Sequence, residues 1–209
     1  NDEVNKNAIA EVVKNHPLCV LVTRKKNGGK GKALADGVRK ADELGLTHVL
    51  QIDSDGQHDA ERVGHFVEVS KKNPEAIICA YPEYDESAPK HRVNGRTIAN
   101  AWIHTVTLSK QIKDGMIGFR IYPVAPYVKL LNSHAIIDAR MGYDIDILVR
   151  LFWKNVPVIC ESVKVTYPVD GVSNFRLVRD NARISLTYAR LFLGMIVRLP
   201  ILIYRKVKR

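Results

Sequence analysis

Three short apolar runs, LCVLVT (18–23), HVLQID (48–53) and EAIICAY (75–81), alternate with longer amphipathic stretches. Runs this short, closed off by Pro, Gly or charged residues, suit buried strands of a parallel sheet, with helices as the connecting segments. A strand–helix–strand–helix–strand order implies right-handed crossovers and helices on both faces, an α/β architecture. The opening EVNKNAIAEVVKNH reads as a helix with Val4, Ile9, Val12 and Val13 on one side. A Gly-rich loop, NGGKGK, leads into a helix that stops at Gly45. Beyond residue 82 the sequence predicts a polar loop, a helix over VNGRTIANAWIHTVTLS, a short strand in GMIGFRIYP and helices over VAPYVKLLNSH and YDIDILVRLFWKN. A long strand over VPVICESVKVTYP follows.

The chain of 209 residues can bury a core of ordinary size, and 46% hydrophobic with 26% charged residues is the balance of a folded globular protein. Cys19, Cys79 and Cys160 are widely separated within apolar runs, which excludes a disulfide framework or CxxC zinc site and predicts reduced core thiols in a cytosolic setting. No run reaches the roughly 18 to 20 uninterrupted apolar residues of a membrane span.

The run HVLQID ends in Asp53, and Asp55 follows two residues on. In extended backbone both side chains point the same way, beyond the carboxyl end of a strand, where open α/β sheets bind ligands. Two convergent carboxylates repel each other unless a cation lies between them. A divalent ion with oxygen preference, Mg²⁺ or Mn²⁺, fits, with His58 or Asp59 completing its shell. The alternative is a polar turn in which Asp53 caps the next helix. Upstream, Asn27, Gly28, Gly29, Lys30, Gly31 and Lys32 precede a helix, where backbone amides and the helix dipole attract an anion. A solvated basic loop is the other reading of that segment.

NGGKGKALADGVRKA followed by VLQIDSDGQHD resembles the inverting glycosyltransferases of family 2, which have a GT-A fold, and in particular their dolichol-phosphate mannose synthase-like branch. The resemblance extends through GMIGFRIYP and GYDIDILVRLFWKNVPVICESVKVTYP, to about residue 175. It implies a Rossmann-like, mixed but mainly parallel sheet flanked by helices, and a nucleotide-sugar donor, UDP- or GDP-linked, held with Mg²⁺ or Mn²⁺. Carried over by motif, Asp53 would meet the nucleotide-sugar and the metal, and Asp55 the metal with His58. Gly29, Lys30, Gly31, Arg120 and Arg176 would lie by the donor. Aligning Arg150 with the family's later arginine puts Asp144 on the general base, with Asp146 as the fallback; both could instead be first-turn acids that favour the helix dipole. Tyr143 departs from the family's Glu. Family members begin with two strands that this sequence lacks, so an incomplete N-terminal part of the catalytic domain (1–173) is expected.

Residues 174–209 carry nine Lys/Arg against Asp180, a net +8 of the chain's +10. Phe175, Arg179, Arg183, Tyr188, Phe192, Met195 and Leu199 recur at helical spacing, and Pro200 is expected to kink or split the segment into two helices. Apolar faces bordered by Arg and ending in YRKVKR suit amphipathic helices in the plane of an anionic membrane; packing on the core or on an oligomer partner is the alternative. Trp102 and Trp153 read as core or acceptor-site walls, and no nucleic-acid partner is expected. The reading is therefore a metal-dependent sugar transfer at the cytoplasmic membrane face, to a lipid-linked or membrane-associated acceptor. The alternatives are a nucleotidyltransferase on a related fold and a non-catalytic membrane-binding module.

Overall fold

The computed structural model describes residues 2–53, 58–84, 90–165 and 177–208. In chain order it contains α1 (Asp2–Asn15), α2 (Lys30–Glu43), β1 (His48–Gln51), a 3-10 turn (Ala60–Arg62), α3 (Val63–Lys72), β2 (Ile77–Tyr84) and α4 (Lys90–Thr107). There follow β3 (Arg120–Pro123), α5 (Val124–Leu131), α6 (Tyr143–Trp153), β4 (Val158–Val165) and α7 (Leu177–Lys208).

The sheet order is β1-β3-β2-β4. β2 and β4 pair parallel, while β3 runs antiparallel to both β1 and β2. The sheet is therefore mixed: β1, β2 and β4 share one direction, and β3 is wedged between β1 and β2 against it. Arg120 of β3 sits in register with Gln51 on one side and Cys79 on the other. That rung positions the site described below.

Alternation along the strands divides the core. Ile77, Cys79 and Tyr122 face one side, with α2, α4, α5, α6 and α7, whereas Ile78, Ala80 and Ile121 face Phe66 of α3 on the other. Five helices thus cover one face among the described residues. On the other, the stacked pair Phe66 and Phe119, 4.5 Å between centroids, closes the core.

Three sequence expectations fail here. LCVLVT forms no strand, and Leu18 is 97% exposed. Its composition suits a strand, but no described neighbour offers the backbone partners that a ladder requires. Cys19 is consequently exposed and only Cys79 is a fully buried thiol. The predicted inner side of α1 is likewise unburied at Ile9 and Val12.

The third difference is α7, which is one helix rather than two and runs through Pro200. Pro200 lies on the exposed side between the buried Met195 and Leu202. The missing amide costs a bond on that side, and packing of the flanking residues holds the helix on course. Ile184, Tyr188, Leu191, Met195 and Leu202 of α7 belong to the main core. Its opposite side leaves Leu193, Ile196, Val197 and Ile203 exposed. Despite five arginines along its length, α7 is long and apolar enough over Val178–Lys208 to cross a membrane, by length and composition alone, its most apolar stretch of 18 residues having a mean hydropathy of 1.7.

Candidate active site

The carboxyl end of β1, the first residue of α2 and the first turn of α6 meet at one point. Lys30 opens α2, and its Nζ lies 2.7 Å from Asp53 Oδ1 and 2.8 Å from Asp144 Oδ2. Asp53 and Asp144, 91 positions apart in sequence, are thus bridged by one ammonium. Burial works against the Lys30 charge, but the Asp144 and Asp53 carboxylates outweigh it and hold its pKa above the ordinary range. Burial also opposes ionisation of Asp53, yet His58 and Lys30 bring its carboxyl down to about 2. His58 Nε2 stands 4.0 Å from Asp53 Oδ2, too far for a direct hydrogen bond.

The glycines of the loop serve close packing. Gly29 has φ +88°, and a side chain there would press on the Ala139 carbonyl; one at Gly31 would enter the Tyr143 ring. The Gly29 amide is taken by Asn27 Oδ1 at 2.9 Å and that of Gly31 by the Ala139 carbonyl at 3.0 Å. These two amides are spent inside the protein. What this segment presents towards a ligand is the Lys30 ammonium.

Asp144 is fastened from three directions. Gln51 Nε2 donates to its Oδ1 at 2.8 Å, Lys30 covers Oδ2, and Arg120 Nη1 donates to its backbone carbonyl at 2.7 Å. Arg120 also donates to the Tyr122 hydroxyl, 3.0 Å away, and is wholly buried. The guanidinium thus supports Asp144 from beneath. Asp146, two residues along a helix, points elsewhere. It pairs with Arg150, accepts the Asp138 amide at 2.8 Å and stands 3.9 Å from Arg190 of α7. Asp146 therefore ties α6 to the preceding loop and to α7 and takes no part in the Lys30 cluster.

Asp53 does not cap a helix; Asp59 does, accepting the Glu61 amide at 3.0 Å. Gly118, just before β3, backs Asp53 so closely that a β-carbon would overlap the carboxylate. Asp55 and Arg176 lie outside the described residues. Gln51 and Gly118 were missing from the sequence-based site. The only signal for Gln51 was a polar residue in an apolar strand, on the same side as Asp53 two positions later.

A divalent cation is tested by the donors at hand. Asp53 is ionised far below neutral pH and has one oxygen not engaged by Lys30, the hard oxygen donor such an ion takes. His58 turns Nε2 towards that oxygen, 4.0 Å away, and its buried Nδ1 has no hydrogen-bond partner among the described residues. These residues fit a cation that also draws on Asp55, although the described residues contain no group of three ligating side chains.

A family model, glycosyl transferase family 2, matches residues 2–133, well over half of the chain. The chain belongs to glycosyl transferase family 2. No curated protein matches it. Among solved structures it is similar to glucosyl-3-phosphoglycerate synthase from Mycobacterium tuberculosis. Against the complex with Mn²⁺ and UDP-glucose, the TM-score is 0.57 at 13% identity, covering 84% of this chain and 56% of that one. Against the complex with Mn²⁺, UDP and glucosyl-3-phosphoglycerate it is 0.54 at 15% identity, covering 82% and 56%. The chain thus spans a little over half the length of these structures, and the likeness fixes the fold, a GT-A-like mixed sheet flanked by helices. The match is to family 2 as a whole; the mannose synthase-like branch rests on the sequence motifs alone.

Proposed function

We propose that this family 2 chain is an inverting glycosyltransferase that moves a sugar from a UDP-sugar, in the presence of Mn²⁺ or Mg²⁺, to an acceptor presented at a membrane surface. The observation that carries the reading is Lys30 held between Asp53 and Asp144 at the carboxyl edge of the sheet. One ammonium flanked by two carboxylates is an arrangement ready to exchange partners when a diphosphate arrives. The donor supported by the neighbours is UDP-linked, since the synthase from Mycobacterium tuberculosis is seen with UDP-glucose and Mn²⁺.

Asp53, with Asp55 and His58, would hold the cation, which supplies positive charge to offset that developing on the departing diphosphate. Lys30 shares that task through its ammonium. Asp144 takes the acceptor's proton on Oδ2: the acceptor O–H bond breaks, the oxygen bonds to the anomeric carbon, and the sugar–phosphate bond breaks with its electron pair leaving on UDP. Asp144 is the carboxylate placed for this, because Asp146 is consumed by Arg150 and the Asp138 amide. Full-length protein with UDP-glucose and Mn²⁺ should release UDP, and Asp144→Asn should abolish release without loss of fold. An unchanged rate in that variant would end the assignment of the base.

The membrane part of the reading rests on α7. One side is fixed in the core, the other exposes Leu193, Ile196, Val197 and Ile203, and the helix ends in Arg205, Lys206 and Lys208. With one side held by protein, such a helix suits an orientation along an anionic surface, its apolar side in the acyl boundary. Leu193→Glu with Val197→Glu alters that side and leaves the core untouched. Flotation with phosphatidylglycerol vesicles should be lost in this pair. Unchanged flotation, or efficient transfer to soluble 3-phosphoglycerate without vesicles, would remove the membrane acceptor.

A further inference from the structure

The geometry points to Gln51 as a positioning residue for the proposed base, with Arg120, its register partner across the sheet, fixing the backbone of that base. The inference rests on the assignment of Asp144 made above. Gln51 ends an otherwise ordinary edge strand, yet its side chain is turned into the protein and buried. A buried amide left unpaired gives up its hydrogen bonds to water for nothing, so a polar side chain in this place needs a partner. Its partner is Asp144 Oδ1, reached from Nε2 at 2.8 Å over a separation of 93 residues. Only the amide nitrogen can meet a carboxylate here, since the opposite rotamer would set two acceptors against each other.

The same rung of the sheet holds Asp144 a second time. Gln51 and Arg120 are Cα partners in β1 and β3, and Arg120 Nη1 donates to the Asp144 carbonyl at 2.7 Å. Side chain and backbone of one residue are thus anchored by two adjacent strands. The consequence for chemistry is a distinction between the two carboxylate oxygens. Oδ1 is bound to a neutral amide that cannot leave without breaking the core. Oδ2 is bound to Lys30, whose chain is one-third exposed and which also serves Asp53. When a diphosphate draws Lys30 towards itself, Oδ2 is released while Oδ1 stays fixed. Gln51 therefore selects the oxygen that accepts the proton and keeps its lone pair aimed at the cleft. It does not touch the donor.

The test is Gln51→Met, which keeps the volume and removes the donor, in the full-length protein with UDP-glucose and Mn²⁺ and water as acceptor. UDP release should slow at least tenfold in kcat while KM for UDP-glucose stays within twofold, because Gln51 acts only through Asp144. Circular dichroism and thermal melting establish that the variant is folded; should it fail to fold, Gln51→Leu, smaller and likewise without a donor, should show the same split. A kcat within twofold of wild type, or equal changes in kcat and KM, overturns the inference. Asp144→Asn separates the two levels. If it is inactive while Gln51→Met is normal, the base stands and the positioning role falls. If it is active, both fall.

Discussion

Replacing Lys30 with Met removes the single cation between two carboxylates and keeps an unbranched side chain only one atom shorter. The Asp53 and Asp144 oxygens lie no farther apart than the two Lys30 distances together, about 5.5 Å. At an effective dielectric constant of about 20, two unit charges at that separation repel by about 3 kcal/mol, and the partial exposure of Asp53 lowers this towards 2. Urea unfolding at neutral pH should show a deficit of about 2–3 kcal/mol for Lys30→Met. The deficit should narrow from about pH 5 to about pH 2, as protonation removes the repulsion in the variant and the ion pair in the wild type. Lys30→Met with Asp53→Asn should be more stable than Lys30→Met alone, because the second change removes one of the opposed charges. A deficit that is the same at both ends of this range, with no recovery in the double variant, would mean that Lys30 matters for packing and not for charge.

Other outcomes follow from the same geometry. The Asp53 carboxyl is held at about 2, below the ordinary carboxyl range, so its contribution is complete above about pH 4 and is lost as the pH falls through its folded value. Asp53→Asn should therefore flatten the acid limb of the stability curve by roughly 2 kcal/mol, measured by urea titration at each pH. Gly118→Ala pushes a methyl group into the Asp53 carboxylate; UDP release should fall at least tenfold, and the melting temperature should drop no more than it does in Asp53→Asn. Asp146→Asn leaves Arg150 without its buried counter-charge and Arg190 with Asp138 alone, and should cost about 3 kcal/mol in stability. In that variant, activity should be lost in proportion to unfolding, in contrast to Asp144→Asn.

The sequence made the helices legible because their apolar spacing is local: α3, α5 and α6 form where the periodicity puts them. Asp53 was legible for a related reason, since a carboxylate at the end of an apolar strand must face an edge where ligands bind. The antiparallel insertion of β3 was not, because strand order is set by pairing between distant segments and leaves no trace in the short run RIYP. LCVLVT shows the limit from the other side: composition alone cannot make a strand without a partner. Asp144 and Asp146 carry the same chemistry in the same turn and were separated only by their surroundings. The motif around Arg120 does not reveal that its side chain is wholly buried against the Asp144 carbonyl, since burial depends on what the fold stacks above it. Gln51 escaped notice because a single glutamine in a strand has no pattern of its own; its meaning comes from Asp144, 93 residues away.

Isothermal titration of UDP into the full-length protein, with Mn²⁺ and again with EDTA, tests most directly whether the Lys30, Asp53 and Asp144 junction is a donor site. Binding should be seen with Mn²⁺, vanish with EDTA, and weaken at least tenfold in Lys30→Met. Equal affinity with and without the metal, undiminished by that substitution, would contradict the account.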